Sequence, residues 1–490
     1  MSKSTGSAVV DPEAARPVAE QREEAPAKVV HPAREDRRRA GKAARHRTPL
    51  EAHAEFVTDG RADPVDLLES QATSRVPELV PIRYGRMLAS PFGFYRGAAL
   101  VMAADLARIP SSGLQVQLCG DAHMSNFGIF ASPERRLVFD VNDFDETHPG
   151  PFEWDVKRLA ASLAVAGRDN GFSHKQRHKI VRAAAAGYRE AMTTFAGQGN
   201  LAVWYTHFDM DQVLQQIGEQ LDVARKARMR AVLDKARSRD SVQALAKLTT
   251  QVGGRARIVS QPPLIVPIEE LFPEHLVAEI DDRMAALIRA YRRTLQLDRR
   301  HLLEQFELVQ VARKVVGVGS VGTRAWILLF EGIDSGDPLF LQAKEAQPSV
   351  LSGFVKARGF ANQGERVVSG QRLMQASSDI FLGWERALAP DGVQRDFYLR
   401  QLRDGKGSVV VEEMVPDGMA FYARLCGQTL ARGHARSGDR VAIAAYLGSS
   451  NRFDQAIADF AELYAEQNDL DHAALAEAAA TGRVTAQSGL

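Results

Sequence analysis

Residues 114–152 read LQVQLCGDAHMSNFGIFASPERRLVFDVNDFDETHPGPF. Leu114, Val116 and Leu118 alternate with Gln115 and Gln117, the pattern of a half-buried strand, and Gly120 breaks it with a turn. Asp121, His123 and Asn126 follow within six residues. A second apolar run, 137–141, ends in Asn142, Asp143, Asp145 and Glu146. Asp and Asn are also ordinary turn formers. Two strands that both end in oxygen-bearing side chains, however, bring hard ligands to one edge, which is what Mg2+ requires.

The glycines of the second half form a separate signal. An apolar strand pattern at 309–316 runs into Gly317-Val318-Gly319-Ser320-Val321-Gly322 and then into AWILLFEG and LFLQAKEA. Such a glycine pattern is weak alone, but here it lies between strands, whereas a dinucleotide fold needs a helix after it. Glycines between strands suit a loop laid over ATP phosphates, and Lys344 then ends the next strand, where a phosphate-contacting lysine belongs. A helix is expected near 366–375, with Glu365 as the candidate acidic partner of Lys344 and Glu345 as the other choice.

Composition bounds the reading. The 490 residues are 45% hydrophobic, enough for one large or two ordinary domains. Sixty-two basic and 61 acidic side chains nearly cancel, so no global field draws nucleic acid or an anionic membrane. Cys119 and Cys426 are too few for a disulfide framework, and no apolar run reaches membrane-span length, so a cytoplasmic protein is expected. Residues 1–48 have almost no large apolar side chains and end in a basic run, Arg34 to Arg47, which reads as a disordered tail.

The turn Gly-Asp-x-His-x-x-Asn, followed by a strand and Asp-Phe-Asp, resembles kinase-like phosphotransferases of the aminoglycoside and choline kinase branch. That resemblance implies an α+β, two-lobe, protein-kinase-like fold using ATP and Mg2+. Asp121 would orient or deprotonate an acceptor hydroxyl, with His123 bracing the turn, while Asn126, Asp143 and Asp145 would hold the metal. Gly317, Gly319, Ser320, Gly322 and Lys344 would hold the phosphates, and Asp155 would secure the backbone of the turn. Arg96 reads either as an anion ligand or as half of a buried ion pair. The segment Leu430-Ala431-Arg432-Gly433-His434-Ala435 is similar to one that immediately precedes the catalytic turn in aminoglycoside kinases, yet no such turn follows it here.

The parts therefore stand in reversed order, and the expected fold is circularly permuted. The implied layout is a tail at 1–48, the catalytic turn and helical lobe at 49–305, and a small antiparallel β lobe at 306–405. A hinge at Lys406-Gly407-Ser408 leads into completing helices at 406–475, and a flexible tail spans 476–490. Blocks such as SPFGFYRGAA, GDAHMSNFG, VGVGSVGTRAW and LARGHARSGD also resemble a bacterial family known as domain of unknown function 2252, from about Thr48 to Arg483. That family carries no agreed activity. The expected function is phosphoryl transfer from ATP to a small-molecule hydroxyl. The alternatives are a metal-dependent phosphoesterase, a nucleotidyl transferase and an inactive nucleotide-binding protein.

Overall fold

The run Phe152–Asp169 (α2, counted from an earlier α1, Arg34–Arg47) is rich in Ala and Leu and is buried over nearly its whole length. It forms the axis of a helical half. Against it pack α3 (His174–Gly197), α5 (Pro416–Ser437) and α7 (Arg452–Ala480). Ser173 caps α3 with a reciprocal bond to Gln176. Small residues let α3 and α5 touch by backbone: a Cβ on Gly427 would sit 2.1 Å from the Ala184 carbonyl oxygen. Helices from both ends of the chain thus share one core, in which Phe152 stacks on Tyr188 and Phe453 is fully buried.

The computed structural model describes residues 31–218, 223–333, 336–388, 392–402, 405–407 and 409–489. The first 30 positions of the expected tail, Ser408 of the expected hinge and Leu490 lie outside them. The expected disorder does not extend to 34–47, which form α1. Gly41 and Ala44 are buried against α6 (Arg440–Leu447), Arg37 pairs with Asp439, and Arg45 donates to the Ala445 and Tyr446 carbonyls. Composition misled because this contact is made by small residues and arginines rather than large apolar side chains. The C-terminal tail is corrected likewise. After α7, Val484 is buried and the Gln487 amide donates to the Pro81 carbonyl at 2.8 Å.

The strands form separate antiparallel sheets, an α+β arrangement. Strand β1 (Gln115–Leu118) pairs with β4 (His148–Pro151), and β2 (Phe127–Ala131) pairs with β3 (Leu137–Val141). The larger sheet has six strands: β5 (Ile265–Pro267), β6 (Phe306–Lys314), β7 (Ala325–Gly332), β8 (Pro338–Ala346), β9 (Gly383–Leu388) and β10 (Gln394–Gln401). Their spatial order is β9-β10-β8-β7-β6-β5. Along β7, Leu328 and Phe330 enter one core with Tyr291 and Leu287, while Ile327 and Leu329 enter another with Ala244 and Leu248. Helices Ser241–Leu248 and Glu274–Arg292 therefore cover the two faces of this sheet. That moves the expected boundary at 305/306: the segment from about 241 onward belongs with the sheet. Helix α4 (Gln363–Met374), capped by Asn362, connects β8 to β9. No helix among the described residues is long and apolar enough to cross a membrane.

Candidate active site

The turn after β1 is fixed from below. Gly120 adopts φ +87°, and a Cβ there would fall 2.0 Å from the Glu146 carbonyl oxygen, so only glycine fits. Asp155, in the first turn of α2, accepts from the amides of Cys119 (2.8 Å) and Gly120 (3.0 Å). His434, from α5, lies 3.2 Å from the same carboxylate. The Ser162 hydroxyl accepts from the Met124 amide, and the Tyr422 hydroxyl bonds the Met124 and Phe127 carbonyls at 2.9 Å each. The Asn126 amide nitrogen donates to the Asp121 carbonyl at 2.8 Å. Its side-chain oxygen keeps no partner among the described residues.

Asp121 is not a free carboxylate. Arg158 donates to one of its oxygens from Nε (2.9 Å) and Nη2 (2.8 Å), leaving the other oxygen to the cleft. Burial pushes the Asp121 carboxyl above its ordinary value, with Arg158 and then Arg96 opposing. His123 Nε2 lies 3.7 Å from the second Asp121 oxygen, too far for a hydrogen bond. Burial first, then the cations Arg96 and Arg158, hold His123 well below its usual range, so its ring is neutral. That environment suits a brace better than a proton carrier.

Lys344, on β8, reaches the Asp-Phe-Asp segment across 199 positions. Its Nζ lies 2.5 Å from Asp145 and 3.8 Å from Asp143. The Tyr398 hydroxyl, on β10, donates to the other Asp145 oxygen at 2.5 Å, and the Ser320 hydroxyl is 3.2 Å from the lysine-bound one. Burial would raise the Asp145 carboxyl, but Lys344 and Tyr398 together hold it below its ordinary value. Asp143 is raised, by burial and then by Asp145 beside it. Asp145 is thus the counter-ion of Lys344 in this arrangement, with Tyr398 on its other oxygen.

The expected acidic partners are corrected accordingly. Glu345 pairs instead with Arg324 (3.2 Å), and Glu365 sits in the first turn of α4 without reaching Lys344. What α4 contributes is a cation: Arg366 donates to the carbonyls of Thr147 (2.5 Å), Asp145 (2.8 Å) and Gln347 (2.9 Å). Arg366 fastens the carboxylate segment by its backbone. Neither Arg366, Tyr398 nor Arg158 carried a signal in the sequence, because each acts on a partner remote in the chain.

The glycine turn closes the other wall. Gly317 and Gly322 adopt φ +63° and +89°. The Gly322 carbonyl accepts from the Val76 amide at 2.8 Å, Arg86 donates to the Gly317 carbonyl at 2.6 Å, and Arg75 donates to the Val321 carbonyl. The resulting cleft has a cavity volume of about 230 Å³. Asp121, His123, Asn126, Asp143, Asp145, Gly317, Gly319 and Ser320 all line it. Gly322 does not, being packed on Arg75; Glu365 is absent from its walls, and Lys344 lies buried behind Asp145 without lining it. Among the described residues no group of three His, Cys, Asp or Glu is arranged to hold a metal. Asn126 and Asp143 instead offer two oxygen donors, a set that Mg2+ completes with phosphate oxygens and water.

No curated protein and no solved structure matches the chain. A family model described as "uncharacterized protein conserved in bacteria" matches residues 75–478, which contain every residue of this cleft from Arg75 to Val350. The chain belongs to that family, domain of unknown function 2252.

Proposed function

We propose that the chain is an ATP-dependent phosphotransferase with a kinase-like fold in circularly permuted order, acting on a small-molecule hydroxyl. One observation carries the reading: Lys344 pairs with Asp145 and lies 3.8 Å from Asp143, and both carboxylates line a cleft roofed by the glycine turn. The sheet supports it. The glycine turn joins β6 to β7, the lysine lies on β8, and a helix precedes β9 and β10, the layout of a kinase nucleotide lobe. The helical half supports the permutation. Ser437, ending α5, accepts from the Gln117 amide at 3.1 Å, so Leu430–Ala435 abut β1 as though the chain ran on into it.

Asn126 and Asp143 would hold Mg2+, which when bound neutralises and orients nucleotide phosphates. The glycine turn would exclude water above them. Lys344, held in place by Asp145, whose other oxygen Tyr398 holds, would present its charge to the phosphates. The free oxygen of Asp121 would orient the acceptor hydroxyl, with Arg158 fixing the carboxylate. With Asp121 held by Arg158 and Asp145 by Lys344, Asn126 and Asp143 are the donors left open, which favours a cation carried in with phosphates over the two-metal hydrolysis of a phosphoesterase.

Purified full chain incubated with a cell extract and γ- or α-labelled ATP tests the proposal. Label from the γ position is expected on a small molecule. Label from the α position would mean nucleotidyl transfer, and no transfer would refute an enzyme of either kind. Mg-ATP is expected to raise the melting temperature of the wild type, and Asp143→Asn to abolish that rise. A rise that persists in Asp143→Asn would remove Asp143 from the metal site.

A further inference from the structure

Arg96 has no role in the reading above, yet it lines the same cleft as Asp121, Asn126 and Asp143. It lies in the short helix Pro91–Gly97, and its carbonyl oxygen would be 3.2 Å from a Cβ on Gly319, so the residue abuts the glycine turn. Among the described residues its guanidinium makes no hydrogen bond or ion pair, and its Nε is buried without a partner.

Neighbouring arginines are all engaged. Arg158 bonds Asp121 and the Tyr95 carbonyl, Arg366 bonds three carbonyls, and Arg83 bonds Gln71 and the Gly97 carbonyl. The buried ion pair that the sequence equally allowed for Arg96 is absent among the described residues. A guanidinium stays charged at any ordinary pH, so one half-removed from water and unpaired is a standing cost that an incoming anion relieves. Its planar fork fits carboxylate and phosphate oxygens.

The Arg96 backbone abuts the glycine turn, but its guanidinium belongs electrostatically to the Asp121 side of the cleft. The charges that act on it are those of Asp121, Glu412 and Arg86, and it acts in turn on His123, whereas Asp143 and Asp145 are governed by Lys344 and Arg400. Arg75, Ser74 and Gln71 continue the cleft wall with further donors. We infer that Arg96 grips an anionic group of the acceptor, so that the molecule presented to Asp121 itself carries a phosphate or a carboxylate. This rests on the phosphotransferase reading, within which it narrows the acceptor to anions.

Inorganic phosphate and acetate serve as probes, titrated calorimetrically into the full chain with and without Mg2+ and a nonhydrolysable ATP analogue. One of the two is expected to bind the wild type, phosphate or acetate identifying the acceptor's group. Arg96→Gln should weaken that binding about tenfold or more, as loss of a charge-assisted fork predicts. Arg96→Lys, which keeps the charge without the fork, should fall between, and serves if the Gln variant does not fold. Saturation with the analogue should leave probe affinity unchanged. Equal binding by wild type and both variants, or no binding of either probe to the wild type, overturns the inference. So does displacement of the probe by the analogue, which would assign Arg96 to the nucleotide. An analogue that fails to raise the wild-type melting temperature breaks the nucleotide reading alone, and Arg96-dependent probe binding would then still establish the anion site.

Discussion

Two glycine-bearing turns face each other across the cleft, and they are held in opposite ways. The turn at 120–126 is anchored by buried groups: Asp155, Ser162 and Tyr422 bond its backbone, and Gly120 is wedged against Glu146. The turn at 317–322 is tied at its ends by Arg86, Val76 and Arg75, and a Cβ on Gly317 would meet nothing within 4 Å. Both use a positive φ, but a Cβ on Gly120 has no space whereas one on Gly317 has open space around it. The difference separates a fixed floor, where reacting groups must be preorganised, from a cover that a ligand can reposition.

The sharpest way to break that contrast is at its two glycines. Gly120→Ala combines a left-handed backbone with a carbonyl inside contact distance, so a loss of about 4 kcal/mol in urea unfolding is expected. A loss under about 1 kcal/mol, the cost of the backbone conformation alone, would mean the floor yields. Asp155→Ala comes next. It strands two buried amides and should cost about 3 kcal/mol, with faster hydrogen exchange at Cys119 and Gly120. Unchanged exchange there would show that the turn does not depend on this carboxylate.

Glu146 gives a pH test of the floor. Burial raises its carboxyl to about 7, against the Val350 amide and Arg366, from an ordinary value near 4.5. The folded chain therefore holds a proton that the unfolded chain has released, and this contribution to stability is full below pH 4.5 and lost as pH rises through 7. Glu146→Gln should accordingly gain stability relative to wild type between pH 5 and pH 7.5, read as the difference in urea midpoints. A constant difference would place the Glu146 carboxyl in ordinary solvent. The smallest effect is expected at Gly317→Ala, about 1 kcal/mol for the backbone alone, with no added clash. A cost matching that of Gly120→Ala would erase the distinction between cover and floor.

Local pattern made much of this legible. Alternation gave β1, the apolar run gave β3, and glycines between strands gave a turn joining β6 to β7. These depend on near neighbours, whose spacing the chain fixes directly. The partner of Lys344 was not legible, because Glu345, Glu365 and Asp145 are equivalent acids until the fold sets distances, and the nearest in sequence pairs elsewhere. Helix α1 was missed for a related reason: Gly41 and Ala44 look unable to bury surface until α6 supplies a backbone at contact distance.

The amino-acid order alone settled which residues can carry charge, turn sharply or line a strand, since those are properties of single side chains and short periods. Tertiary structure alone decided that Asp145 serves a lysine, that Arg366 rather than Glu365 reaches the carboxylate segment, and that the Arg96 guanidinium has no partner among the described residues. Hydrogen bonds need near-contact geometry and Coulombic attraction weakens with distance, so both follow separation in space, which sequence position does not determine.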